Sequence, residues 1–192
     1  IGKERIKEAL INTALLLESL HNQTISLMNE GASLDTVIHS VRAPNDLLKK
    51  PYLRPIYDEP EFIVRNIWRL NGGWYDGTPS RLKPATETAL ANEISNLVGG
   101  AEKLAERASV LMKSGEIKLA CHLIEWAWSN SPNNNKIREI AKKIFTTRAN
   151  DEKSTMAIGI YLSAARKMGP ETDKEISGKT VIQTQELRNR TD

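Results

Sequence analysis

Residues 101–132 read AEKLAERASVLMKSGEIKLACHLIEWAWSNSP, and this stretch decides the fold class. Apolar residues recur three and four positions apart on both sides of Gly115, which predicts two helices joined by a tight turn. A short connection makes neighbouring helices antiparallel. The small residues Ala108, Ala120 and Ala127 would let the two helices approach closely. We therefore expect an antiparallel helix pair at the centre of the fold.

Helical spacing continues on both sides of this pair. Further helices are predicted from Lys3 to about Asn29, after Ser33 and Asp35, after Asp58, after Thr86, from Ile137 to about Ala149 and from Met156 to Met168. Asp58 is the predicted cap of the third of these, with Pro60 in its first turn and Glu61 as a capping-box partner. No strand-like alternation competes. The fold class is therefore all-α, a helical bundle.

The positions of the packing residues in the central pair match those of a tetratricopeptide repeat. They are Leu104, Ala108, Leu111, Gly115, Ala120, Ile124, Ala127 and Pro132. The sequence thus predicts a tetratricopeptide-like antiparallel helix pair. One alternative function is therefore a tetratricopeptide-like adaptor for protein–protein interactions. Against it, only one repeat is convincing, and a peptide-binding superhelix normally needs about three.

The long first helix carries more apolar surface than one neighbour can cover. Its main stripe is predicted to be Ile6, Leu10, Ala14, Leu17, Leu20, Ile25 and Met28. Leu15 and Leu16 widen this stripe beyond a single helix contact. Part of the surface should therefore meet another partner.

Composition excludes several classes of function. The 27 basic and 24 acidic residues are interspersed, so the net charge of +3 forms no basic block, and aromatic residues are only 5% of the chain. We expect no nucleic-acid partner. No run of apolar residues is long enough for a membrane span. The first residue is Ile1 rather than Met, so we expect a truncated N-terminus and leave the location open between cytoplasmic and periplasmic or secreted.

Candidate metal and catalytic residues are sparse. His21, His39 and His122 are far apart and fit no zinc-binding spacing, so we predict no metal site and no catalytic residue in this chain. The single Cys121 lies in an apolar helical pattern and is expected to be a buried thiol. A loop at residues 43–60 is stiffened by prolines and longer than a connector needs.

Three stretches resemble, in order and spacing, the dimerisation region of alkyl sulfatases of the metallo-β-lactamase superfamily. They are Pro51-Tyr52-Leu53-Arg54 with Tyr57, Val64-Arg65-Asn66-Ile67-Trp68-Arg69, and Gly73-Trp74-Tyr75-Asp76-Gly77-Thr78-Pro79. The resemblance covers about residues 3 to 168. The cluster at 72 to 79 is its most specific part.

The resemblance implies a parent hydrolase of sulfate or related esters. In such enzymes an upstream metallo-β-lactamase-fold domain of the same protein holds two zinc ions, and the helical region that follows mediates an intertwined homodimer. No zinc ligand maps onto this chain, so we expect a dimerisation and accessory segment that is not catalytic alone and holds no cofactor. Residues 1–169 would be the dimerisation-type helical domain, and residues 170–192 a charged linker or tail toward a missing C-terminal domain.

Five residues are the site candidates under this hypothesis. Trp68, Trp74 and Tyr75 are assigned to the dimer interface, since aromatic residues are enriched at interface cores. Tyr57, in the proline-stiffened loop, and Arg65 are assigned to the substrate cleft of the parent. For Arg65 a solvated ladder with Glu61 and Arg69 is the competing interpretation.

Overall fold

A computed structural model describes residues 2–170 of the chain. Within this range helices are joined by turns and loops, with no strand, which confirms the all-α prediction. The chain divides into two compact units, one ending at Pro84 and the other beginning at Ala85. This boundary lies inside the segment that the sequence treats as one domain. The predicted tail lies outside the described residues from residue 171 onward.

The first unit contains four α-helices. They are α1 (Lys3–Asn29), α2 (Leu34–Ser40), α3 (Asn45–Leu48) and α4 (Pro60–Leu70), with single 3₁₀ turns at Pro51–Leu53 and Pro79–Arg81. After α1 the chain turns at Gly31, whose φ of 78° is a conformation that favours glycine. Ser33 then caps α2 by accepting a hydrogen bond from the Thr36 amide at 3.2 Å. The bounds of α1 agree with the sequence prediction.

The core of the first unit lies between α1, α2 and α4. Leu20 and Val37 are fully buried there, and Val64 is nearly so. The face of α1 that packs against this core matches the predicted stripe only in its C-terminal part, at Leu20 and Met28. Leu16, Leu20 and Thr24 are its buried residues, whereas Ile6, Leu10 and Leu17 are 50%, 67% and 46% exposed. Because α1 is apolar on several sides, spacing alone does not identify the face that packs.

The start of α4 also differs from the prediction. Asp58 does not cap the helix, because its carboxylate accepts a hydrogen bond from the adjacent Glu59 amide at 2.8 Å. The helix begins at Pro60, where the missing N–H of proline costs no intrahelical bond. Leu70, three residues after Ile67 and thus at helical spacing from it, is 84% exposed at the last turn.

The second unit contains α5 (Glu87–Val98), α6 (Ala101–Lys113), α7 (Ile117–Asn130), α8 (Asn135–Asp151) and α9 (Thr155–Met168). The predicted central pair is α6 and α7, and Gly115 makes the turn between them with φ 86°. Ala108, Ala120 and Ala127 are fully buried, which is the close helix contact that small residues permit. The helix pair is thus confirmed, while its assignment as a tetratricopeptide repeat stays a prediction.

Candidate functional site

The loop after α4 is held at both ends by hydrogen bonds. The Gly73 amide donates to the Trp68 carbonyl at 2.9 Å, and the Leu34 amide donates to the Asp76 carbonyl at 3.0 Å. Within the loop, the Asp76 carboxylate accepts from the Thr78 amide at 2.8 Å. Because these bonds fix the backbone on both sides, the two aromatic residues between them have a defined position.

Trp74 is the most prominent side chain of this loop. It is 81% exposed, and its ring stands 6.0 Å from that of the half-buried Tyr75, at an angle of 44°. An exposed tryptophan on a fixed backbone loses little conformational entropy when a partner covers it. Trp74 is therefore an exposed aromatic side chain on a fixed backbone, and the assignment of Trp74 and Tyr75 to the dimer interface stays a prediction.

Trp68 has a different environment from the other two interface candidates. It is only 7% exposed and belongs to the core of the first unit. Its indole lies so close to Gly73 that a Cβ atom there would be 2.2 Å from Nε1. Trp68 is therefore removed from the interface candidates, since its side chain packs inside its own unit. Sequence spacing could not separate it from Trp74.

Asp76 also forms an ion pair that secures the end of the loop. Arg81 donates to the Asp76 carboxylate at 2.9 Å. This bond, together with the one from the Thr78 amide, holds the pKa of Asp76 below its usual range. The carboxylate consequently stays ionised at neutral pH and keeps both bonds.

The two substrate-cleft candidates lie on the surface of the first unit. Tyr57 is 70% exposed. Arg65 donates to Glu61 at 3.2 Å, and both side chains are about half exposed, at 50% and 44%. This i, i+4 pair fits the solvated ladder. The cleft assignment of Tyr57 and Arg65 stays a prediction.

The N-terminal half of α1 is the second exposed apolar surface. Its large apolar side chains there are 46–67% exposed; they are Ile6, Leu10, Ile11, Leu15 and Leu17. Leu16 is buried among them. The sequence indicated a surplus of apolar surface on this helix. Of the two residues that widen the predicted stripe, Leu15 is exposed and Leu16 is buried.

The described residues do not fit a zinc site. No three His, Cys, Asp or Glu side chains between residues 2 and 170 come together to hold a metal ion. His39, for example, lies 3.4 Å from the carboxylate of Asp35 on its own helix. Burial raises the pKa of the Cys121 thiol to about 11, which disfavours the thiolate that binds zinc.

No helix in residues 2–170 has the length and apolar character needed to cross a membrane.

Comparison with known proteins identifies the family. The alkyl sulfatase dimerisation family matches residues 33–170. A linear primary-alkylsulfatase from Pseudomonas sp. is 32% identical over 67% of this chain and 23% of its own length. An alkyl/aryl-sulfatase from Saccharomyces cerevisiae is 27% identical over 72% of this chain and 22% of its own length.

The fold agrees with a solved structure. A stereoselective inverting sec-alkylsulfatase from Pseudomonas sp. superposes with a TM-score of 0.81 at 21% identity, over 90% of this chain and 28% of that protein. This chain spans about a quarter of the length of the curated relatives that it matches. Since the family match extends over most of both helical units, the chain belongs to the alkyl sulfatase dimerisation family.

Proposed function

We propose that this chain is the homodimerising segment of a sulfate-ester hydrolase. In this proposal the catalytic domain, with two zinc ions, lies in a metallo-β-lactamase-fold region of the same protein outside this chain. The observation that carries the proposal is the exposed apolar surface of the first unit, including α1 and Trp74. The sulfatase names of the relatives support the parent activity, and membership of a family named for dimerisation supports the oligomeric role.

The exposure of these side chains favours association on energetic grounds. Burying apolar surface gains about 25 cal/mol per Å², and a fully buried leucine gains about 1.5–3 kcal/mol. Leu10 and Trp74 are 67% and 81% exposed, so most of that gain is still available to a partner.

Two surfaces of the first unit form the proposed interface. One is the N-terminal half of α1, and the other is the segment from Tyr52 to Pro79, which includes Trp74 and Tyr75. Tyr52 connects them, because its hydroxyl accepts a hydrogen bond from Asn12 of α1 at 2.7 Å. A buried tryptophan at the centre of such an interface commonly contributes about 2 kcal/mol or more to binding.

Sedimentation velocity of Trp74→Ala tests the interface assignment. We expect this variant to raise the dimer Kd by about 30-fold or more, which corresponds to about 2 kcal/mol. Leu119→Ala is the matched control, since Leu119 is a 52% exposed apolar residue of the second unit. Circular dichroism should show unchanged helicity in both variants. Equal dimer affinities for the two variants would contradict the placement of Trp74 in the interface.

The role of Tyr57 concerns the intact parent enzyme. We propose that Tyr57 and the proline-stiffened segment between α3 and α4 face the catalytic cleft, because the Tyr57 side chain is 70% exposed and such segments commonly carry functional residues. Tyr57→Phe in the full-length enzyme should change turnover or substrate affinity. Lys49→Met, a change at another exposed residue of the same loop, is the control. Identical kinetics for the tyrosine variant and wild type would refute the cleft role.

A further inference from the structure

The loop that carries Trp74 rests against the start of helix α2. Residues 73–78 form this loop, which we call the Trp74 loop. Ser33 is the N-cap residue of α2, and a Cβ atom at position 77 would lie only 3.0 Å from the Cβ atom of Ser33. The residue at this position is Gly77, whose lack of a side chain permits the close approach. The end of the Trp74 loop therefore touches the N-cap of α2.

The first amide of α2 also depends on the Trp74 loop. Leu34 is the first residue of the helix, and the amides of a first turn have no acceptor inside their own helix. The Leu34 amide donates instead to the main-chain carbonyl of Asp76 at 3.0 Å. Because this acceptor belongs to the loop, slow hydrogen exchange of the Leu34 amide would report that the loop is in place.

Asp76 uses its carboxylate as well as its carbonyl. The carboxylate accepts hydrogen bonds from the Thr78 amide and from Arg81, and the side chain of Asp76 is only 23% exposed. Arg81 belongs to the 3₁₀ turn that follows the loop. Asp76 thus joins the Trp74 loop both to the start of α2 and to this 3₁₀ turn.

Trp74 lies between two attachment points of the loop. Before it, the Gly73 amide donates to the Trp68 carbonyl, and after it come the bonds of Asp76. The Trp74 side chain is 81% exposed, so it contributes little packing that could order the backbone by itself. Removal of the Asp76 carboxylate would take away two hydrogen bonds on the C-terminal side of Trp74.

We propose that Asp76 is a positioning residue, which holds Trp74 in the conformation that a second copy of this chain binds. The inference rests on the proposed function, since it requires the chain to dimerise through Trp74. The Trp74 loop, the start of α2 and Arg81 all lie within residues 33–170, the range that the dimerisation family matches. A partner binds an ordered loop more tightly, because the entropy of ordering that loop is not lost on binding.

A double-mutant cycle on dimer affinity tests whether Asp76 acts through Trp74. Asp76→Ala should raise the dimer Kd of the full chain about tenfold, measured by sedimentation velocity. In a Trp74→Ala background the same change should raise the Kd by less than about twofold, because the side chain that Asp76 positions is already gone. Equal effects in the two backgrounds would overturn the positioning role. An unchanged Kd in Asp76→Ala alone would overturn it as well.

Variants of Arg81 separate positioning from a general effect of charge. Arg81→Met removes the cation and should raise the dimer Kd about threefold, whereas Arg81→Lys keeps a cation and should recover most of the affinity. Lys136→Met is the matched control, because it removes the cation of an ion pair in the second unit at a side chain that is 51% exposed. Circular dichroism should show unchanged helicity in all three variants. Equal dimer affinities of Arg81→Met and Lys136→Met would overturn the role of Arg81.

Residue-resolved hydrogen exchange separates failure of this inference from failure of the proposed function. The Leu34 amide should exchange about tenfold faster in Asp76→Ala, although its acceptor, a main-chain carbonyl, is still present in that variant. Unchanged exchange and an unchanged Kd in a dimeric chain would refute positioning by Asp76 and leave dimerisation standing. A chain that is monomeric at every concentration would refute both. Faster exchange together with a weaker dimer supports both.

Discussion

Gly73→Ala should destabilise the first unit, because the new methyl group would collide with the core residue Trp68. A Cβ at position 73 would lie 2.2 Å from Nε1 and 2.3 Å from Cδ1 of the indole. Since carbon atoms in contact prefer separations of about 3.5–4.0 Å, the ring or the loop must move by more than about 1 Å. Overpacking of this kind costs about 1–3 kcal/mol, and we expect about 2 kcal/mol here. The shift would also displace the adjacent Trp74.

Hydrogen exchange measured by mass spectrometry locates this effect. Protection of α4 should fall by about 30-fold in Gly73→Ala, while α8 of the second unit serves as an internal reference. Gly159→Ala is the control, and it should stabilise the second unit instead of destabilising it. A Cβ at position 159 has nothing within 4 Å, and alanine favours a helix over glycine by about 1 kcal/mol. In a Trp68→Leu background the cost of Gly73→Ala should largely disappear. Unchanged protection of α4 in Gly73→Ala would refute the collision.

Three further predictions concern the second unit. Ile124→Ala removes a fully buried core side chain and should lower the free energy of unfolding by about 2–5 kcal/mol, measured by urea denaturation; a loss below about 1 kcal/mol would contradict the packing. Because burial raises the pKa of Cys121 to about 11, iodoacetamide should modify it about 100-fold more slowly at pH 8 in the folded chain than in urea, and equal rates would be inconsistent with burial. Hydrogen bonds from Asn134 and, to a smaller extent, from Lys136 hold the pKa of Glu102 below its usual range. Lys136→Met should therefore raise the pKa of Glu102 in an NMR titration. The stabilising effect of this pairing should be present at neutral pH and decline as pH falls through the pKa of Glu102.

The sequence predicts helices better than it predicts what they pack against. The bounds of α1 and the turn at Gly115 follow from spacing and from glycine conformation, which are local properties. The packed face of α1 was predicted only in part: Leu20 and Met28 of the predicted stripe pack on the core, but its N-terminal residues are exposed. Apolar residues occur on several sides of the helix, and the tertiary contact selects among them. The break at Pro84 was not predicted, since helical patterns continue on both sides of it.

The candidate site could be predicted only in part for a similar reason. Trp68 and Trp74 are close in sequence and share a residue type, yet one is 7% and the other 81% exposed. Trp68 lies on the buried face of α4. Trp74 lies in the following loop, whose backbone is held by the hydrogen bonds of Gly73 and Asp76. Leu70 fits the helical spacing of α4 but lies at its exposed last turn. Residue type therefore identified the aromatic cluster, and only the fold distinguished the exposed tryptophan from the buried one.

Sedimentation equilibrium of the unmodified chain tests the central claim most directly. Across a dilution series at micromolar concentration, dimerisation through the first unit predicts a mass of twice the 21.5 kDa chain, falling toward the monomer mass on dilution. The exposed apolar side chains of α1 and Trp74 would then have the partner that their surface requires. A mass that stays at 21.5 kDa throughout would contradict autonomous dimerisation.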